Sequence, residues 1–319
     1  MSEEAKRTSE RIRPELRQAI EGFPPITYDM EGVYTQRAGG EIFKTDPAFK
    51  ASDPEVTIYD KYIKVDDNTE IRLHILEPAK RPVNKNGAVL WLHGGGMTIG
   101  LPESDDAQNI RFVKEAGCTV IAPDYRLAPE NPYPVPLKDC CSALVWTSDH
   151  ADELGIDSDR IAVAGLSGGG GLTMATAMYM RDHGGPKIAF LMAISPMINR
   201  ALDTDSASLY FDDPRTLSRK GALDLWGYYL GDRKDTDIYM EPIKDDFHQL
   251  PPLYTCAGEI DPFRDDVIRM ACGFLKNDIP AELHIYPGVF HASEALVPMA
   301  GISICQVNEY VRVIREHIG

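Results

Sequence analysis

The sequence predicts an α/β fold: a mostly parallel sheet with helices on both faces plus a helical cap. Three observations predict it. After residue 85, short apolar runs alternate with helix-length segments, which is the order of a parallel sheet with crossover helices. Those runs, such as Ala88 to Leu92 and Ile161 to Ala164, are continuously apolar, as strands covered on both faces must be. From Asn199 to Asp246 the rhythm stops. No strand pattern occurs there, and helix-like stretches hold the clustered aromatics Tyr210, Phe211, Trp226, Tyr228 and Tyr229.

Taken in order, residues 3–21 are charged, with apolar positions at Ala5, Ile12, Leu16, Ala19 and Ile20, the pattern of an amphipathic helix broken near Pro14. Gly22 to Pro54 is rich in Gly and Pro and reads as irregular. Val56 to Val65 and Ile71 to Leu76 alternate like strands around the turn Asp66-Asp67-Asn68-Thr69, which predicts an antiparallel hairpin at one sheet edge. Strands follow at Ala88–Leu92, Thr119–Ala122, Ile161–Ala164, Ala189–Ile194, Leu253–Ala257 and Ala281–Tyr286. Helices are expected at Leu137–Leu154, ending at Gly155, and at Gly169–His183, Val267–Lys276 and Ile302–Ile318. The chain therefore divides into residues 1–50 as the N-terminal part of the cap, 51–198 as the first part of the core, 199–246 as the inserted cap segment, and 247–319 as the second part of the core. There is no internal repeat, low-complexity tract or flexible linker.

A chain of 319 residues can bury a large core. Its formal charge of −16 opposes binding to nucleic-acid phosphates or anionic membrane surfaces. The cysteines Cys118, Cys140, Cys141, Cys256, Cys272 and Cys305 form no C-x-x-C and no zinc spacing, and they read as buried reduced thiols. No apolar run is long enough for a membrane span, and the first residues lack the layout of a signal peptide. The expectation is a soluble, cytoplasmic protein.

Two glycine-rich strings carry the chemistry. Gly165-Leu166-Ser167-Gly168-Gly169-Gly170 follows an apolar strand and opens a helix, the setting of a G-x-S-x-G nucleophile elbow. A serine hydroxyl is a poor nucleophile until it is exposed, fixed and paired with a base, and the sharp corner needs small neighbours. The competing reading is an anion-binding turn. The spacing is not G-x-G-x-x-G, however, and no P-loop lysine follows. His93-Gly94-Gly95-Gly96 closes another strand, and consecutive glycines let backbone donors approach a substrate closely. The N–H groups of Gly94, Gly95 and Gly168 are the candidate oxyanion hole, with His93 bracing the loop. Together the two strings predict acyl transfer from a carboxylic ester or a close relative.

Topology selects the base. His74 and His284 are strand residues, and His150, His183 and His317 belong to helices. His248 lies in the linker after the insertion. His291 alone follows a late strand, where a base would stand. The acid should end the preceding strand, and Asp261 in Gly258-Glu259-Ile260-Asp261-Pro262 fits. Glu259 and Asp265 are rivals, Asp265 being read as the N-cap of the helix from Val267. The order Ser167, Asp261, His291 is that of the α/β hydrolases.

At these residues the chain resembles the hormone-sensitive-lipase-like branch of the α/β hydrolases, which includes many bacterial carboxylesterases. The resemblance covers roughly residues 85–319 and rests on His93-Gly94-Gly95-Gly96, Asp124-Tyr125-Arg126-Leu127-Ala128-Pro129-Glu130, the serine elbow, Asp261-Pro262-Phe263-Arg264-Asp265 and His291. It implies the α/β-hydrolase fold, a serine carboxylesterase for short- to medium-chain esters, no metal or organic cofactor, and a homodimer through the last strand and helix. Arg126 and Glu130 are expected to pair and hold their loop. The elbow departs from the usual Gly-Asp-Ser-Ala-Gly-Gly, with Leu166 in place of Asp and Gly168 in place of Ala, and Ala292-Ser293 replaces the usual Gly-Phe after the histidine.

Leu166, Tyr210, Phe211 and Trp226 are the candidate substrate-binding residues, the aromatics either lining an apolar pocket or packing as cap core. The same triad would serve a lactone, aryl amide or carbamate. A non-catalytic small-molecule receptor is a further reading, which the presence of His291 opposes. A triacylglycerol lipase is opposed by the acidic charge.

Overall fold

The computed structural model describes residues 9–66, 68–209 and 215–319. Eight strands form one sheet: β1 (Val56–Asp66), β2 (Thr69–Pro78), β3 (Asn86–Leu92), β4 (Thr119–Pro123), β5 (Ile156–Leu166), β6 (Phe190–Ile194), β7 (Leu253–Ile260) and β8 (Ala281–Phe290). Their order across the sheet is β1-β2-β4-β3-β5-β6-β7-β8. The expected hairpin is the antiparallel β1–β2 pair, with Ile58 opposite Leu76 and Ile63 opposite Ile71. β2 is antiparallel to β4, and every later pairing is parallel.

The main helices are α1 (Pro14–Ile20), α2 (Met30–Gly40), α3 (Val135–Asp149), α4 (Gly168–His183), α5 (Arg219–Leu230), α6 (Arg264–Lys276) and α7 (Gly301–Ile318). The period-two geometry of a strand sends adjacent side chains to opposite faces, and both faces are covered here. Ala88, Leu90 and Leu92 of β3 join Ile161 and Val163 of β5 in the core beneath α3, α4 and α6. Val89, Trp91, Ala162 and Ala164 point the other way, into a core with Phe112, Val113 and the α7 residues Tyr310, Val313 and Ile314. The continuous apolar runs follow from this double burial.

The break expected near Pro14 is present: residues 9–11 are helical, the backbone leaves the helix at Ile12 and Arg13, and Pro14 opens α1, because proline's missing N–H costs nothing in a first helical turn. Several boundaries differ from expectation. α2 lies in the stretch expected to be irregular. Asp29 caps it by accepting the Gly32 N–H at 2.8 Å. The helix expected to run to Leu154 stops at Asp149, and a separate turn, Ala151–Leu154, precedes Gly155. β5 and β8 extend beyond their predicted cores, to Ile156 and Phe290. Of the six cysteines, Cys272 and Cys305 are exposed, and the other four are buried. Among the described residues, no helix is long and apolar enough to cross a membrane.

Two segments lie over the carboxyl ends of the strands. The chain between β6 and β7 carries α5. A Cβ at Gly221 of α5 would touch the Tyr28 ring, so the N-terminal segment packs on the insertion. A Cβ at Gly96 would touch Leu225, so α5 sits directly above the glycine loop after β3.

Candidate active site

Ser167 stands between β5 and α4 with φ 58° and ψ −117°, a strained backbone for a side chain with a Cβ. The surroundings fix it there. Its N–H donates to the Ile194 carbonyl, and its own carbonyl accepts from Gly171 and Met197. No side chain fits beside it at 169, where a Cβ would come within 1.9 Å of the Leu92 carbonyl oxygen. The glycines after the serine thus let the start of α4 rest on the end of β3.

His291 follows β8 and meets Ser167 from across the sheet edge. Its Nε2 is 2.8 Å from Ser167 Oγ, and its Nδ1 is 2.9 Å from Asp261 Oδ2. All three residues are buried, Asp261 completely. The other Asp261 oxygen accepts the Phe263 N–H at 2.8 Å, which fixes the carboxylate. The Phe263 ring meets the imidazole edge-on at 5.1 Å between centroids. The structure therefore brings Ser167, His291 and Asp261 into one hydrogen-bonded chain.

The rival acids are occupied elsewhere. Glu259 accepts the Gly288 N–H at 2.9 Å and pairs with Arg11, so it braces the turn leading to His291. Asp265 is not the expected N-cap. It lies inside the first turn of α6, accepts the Ser206 N–H at 2.8 Å and pairs with Arg264, tying the chain after β6 to α6.

The glycine loop after β3 rests on the elbow, since a Cβ at Gly168 would lie 2.6 Å from the Gly96 nitrogen. Gly95 has φ +112°, and a Cβ there would collide with the Ile99 carbonyl oxygen. Among the described residues, no turn or loop hydrogen bond uses the N–H of Gly94, Gly95 or Gly168. Gly168 opens a helix, whose first N–H groups lack intrahelical acceptors. His93 braces the loop as expected. Its Nδ1 is 2.8 Å from the Gly94 carbonyl, and its ring stacks on Tyr125 at 4.2 Å. The Tyr125 hydroxyl donates to the His93 carbonyl at 2.8 Å. Burial pushes the His93 ring below its ordinary range.

The pairing expected for the Tyr-Arg-Leu-Ala-Pro-Glu loop is incorrect. Arg126 forms a fork onto Asp139 of α3, with contacts of 2.9 and 2.6 Å to its two oxygens. Glu130 instead takes Arg37 of α2 at 2.9 and 3.0 Å. Arg37 also donates to the carbonyls of Thr98 and Ala128, fastening the N-terminal segment to the glycine loop.

A cavity of about 390 Å³ opens onto Ser167 and His291. Leu166 lines it, as expected. Trp226 does not. It is buried against Tyr229 and the core, and its neighbour Leu225 faces the cavity, because successive residues of a helix point about 100° apart. Tyr210 and Phe211 lie outside the described residues. Sequence reasoning missed Tyr28, Gln36 and Phe43 of the N-terminal segment, Asp105 after the glycine loop, and Ala295 and Leu296 after His291. Only the Asp29 capping signal could have drawn attention to the first three.

A mostly parallel sheet with a serine on a sharp corner after β5 and a histidine loop after β8 is the arrangement of an α/β hydrolase. A family model described as alpha/beta hydrolase fold matches residues 89–295. The arylesterase of Saccharolobus solfataricus is 34% identical over 250 residues, covering 75% of this chain and 78% of the relative. Carboxylesterase NlhH of Mycobacterium tuberculosis is 32% identical over 287 residues, covering 88% of each chain. A solved bacterial heroin esterase superposes with a TM-score of 0.91 at 33% identity, covering 98% of this chain and 99% of that one. The chain belongs to the hormone-sensitive-lipase-like, bacterial carboxylesterase family of α/β hydrolases, and it is a carboxylic ester hydrolase.

Proposed function

We propose that Ser167, His291 and Asp261 hydrolyse short- to medium-chain carboxylic esters through an acyl-enzyme. The observation that carries this is the single imidazole placed between the serine oxygen and the buried carboxylate at 2.8 and 2.9 Å. His291 Nε2 takes the Ser167 proton as Oγ bonds to the ester carbonyl carbon. The former carbonyl oxygen gains negative charge, for which the N–H groups of Gly94, Gly95 and Gly168 are the donors. The tetrahedral species collapses, and the protonated ring gives its proton to the departing alkoxide. Water then repeats the sequence on the acyl-enzyme, with His291 as base, and releases the acid and Ser167. Asp261 keeps Nδ1 protonated and steadies the imidazolium.

The cavity supports small substrates. Its 390 Å³ is near the lower end of the roughly 300–1,000 Å³ typical of ligand sites. Residues 1–50 and 199–246 act as the two parts of a cap over it. The chain works in the cytoplasm without stable membrane association, and β8 at the sheet edge with α7 forms a homodimer face.

The test is hydrolysis of p-nitrophenyl esters from acetate to palmitate by the wild type and by Ser167→Ala. Turnover highest on short acyl chains and abolished in the variant is the expected result. Turnover that persists in the variant, or that appears only on emulsified long chains, contradicts the proposal.

A further inference from the structure

We propose that Asp105 is the specificity anchor of the ester site, selecting substrates that carry a quaternary or protonated amine on the alcohol or acyl arm. The inference rests on Ser167 being the nucleophile of that site.

Asp105 lines the cavity that holds Ser167 and His291. Among the described lining residues it is the sole carboxylic acid, and no Lys or Arg accompanies it. One of its oxygens accepts the Trp91 indole N–H at 2.7 Å. Among the described residues no Lys, Arg or His forms an ion pair with it. The charged groups that act on it are Asp106, which His74 contacts at 3.2 Å, and Glu294. Burial pushes the Asp105 carboxyl up to about 6, and Asp106 and Glu294 push in the same direction. The cavity thus holds this one carboxyl group beside apolar walls that include Leu166, Ala292 and Leu296. A half-buried carboxylate beside apolar walls is poorly solvated until a cation joins it, so a cationic substrate gains what a neutral one of equal shape does not. The alkyl groups of an ammonium ion suit those walls. The overall charge of −16 adds a field that draws cations toward the protein.

The experiment compares butyrylcholine with 3,3-dimethylbutyl butyrate, its neutral carbon isostere, for the wild type and Asp105→Asn at about pH 8, where the carboxyl is ionised. Asn keeps an acceptor for Trp91. The ratio of kcat/KM, cationic over neutral, is expected to be about tenfold higher in the wild type than in the variant. Equal ratios in two active enzymes overturn the inference and leave the nucleophile assignment standing. Turnover of either ester that persists in Ser167→Ala overturns that assignment, and this inference with it. A second measurement serves if the variant does not fold. Choline is expected to inhibit wild-type p-nitrophenyl butyrate hydrolysis more tightly than 3,3-dimethylbutanol does, and equal inhibition overturns the inference.

Discussion

Ser167 Oγ lies 2.8 Å from His291 Nε2 although 124 positions separate the two residues in the chain. The sheet makes this contact. β5 delivers the serine at its carboxyl end, and β8 delivers the histidine three strands away at the same end. The serine hydroxyl therefore faces a base before any substrate arrives. On this geometry His291→Ala deprives Ser167 of its base, and kcat is expected to fall by about 10⁴-fold or more. Steady-state kinetics of the folded variant beside the wild type checks this, and a kcat within about tenfold of the wild type contradicts it.

Asp261 holds His291 on the far nitrogen and accepts the Phe263 N–H with its other oxygen. Asp261→Asn preserves the shape but can present an N–H to Nδ1, forcing the wrong tautomer. We expect kcat to fall about 10³- to 10⁴-fold with little change in melting temperature. Steady-state kinetics beside thermal unfolding separates this from misfolding.

Gly169 marks where the elbow has no room. A Cβ there would come within 1.9 Å of the Leu92 carbonyl, which belongs to β3 and cannot swing away. Gly169→Ala is expected to cost at least about 2 kcal/mol of stability, measured by urea unfolding.

Arg126 and Glu130 provide a contrast. Asp139 is fully buried, and Arg126 is its cation, so Arg126→Ala leaves a buried carboxylate unpaired and should cost about 3–5 kcal/mol. Glu130 is exposed and pairs with Arg37, so Glu130→Ala should cost about 0–1 kcal/mol. Equal losses in denaturant unfolding would argue against the pairings described.

Asp105 also predicts a pH dependence of stability. Its folded carboxyl is pushed from 3.8 up to about 6 by burial. The folded state therefore binds this proton more tightly than the unfolded one. The resulting stabilisation is full below the ordinary value and is lost as pH rises through about 6. Asp105→Asn, which cannot ionise, should gain melting temperature relative to the wild type at about pH 8 and show less gain at about pH 4.

Much of this was legible in the sequence because the informative features are local. The apolar runs of β3 and β5 and the glycines after them specify strands, a corner and a donor loop within a few residues. The order of Ser167, Asp261 and His291 follows from which loops share one end of a parallel sheet. Long-range choices among equivalent groups were not legible. Arg126 had Glu130 four residues away, yet its partner is Asp139, because α3 brings a buried carboxylate against the loop. Trp226 and Leu225 are both apolar, and only the rotation of α5 decides which one faces the cavity. α2 was hidden by its glycines and its weak apolar stripe, although Asp29 gave a capping signal.

The most direct test of the central claim is covalent. A fluorophosphonate probe should add one phosphonyl group to the wild type, mapped by peptide mass spectrometry to Ser167, with labelling sharply slowed in His291→Ala. A folded protein that takes no label, or that carries it on another residue, would contradict the account.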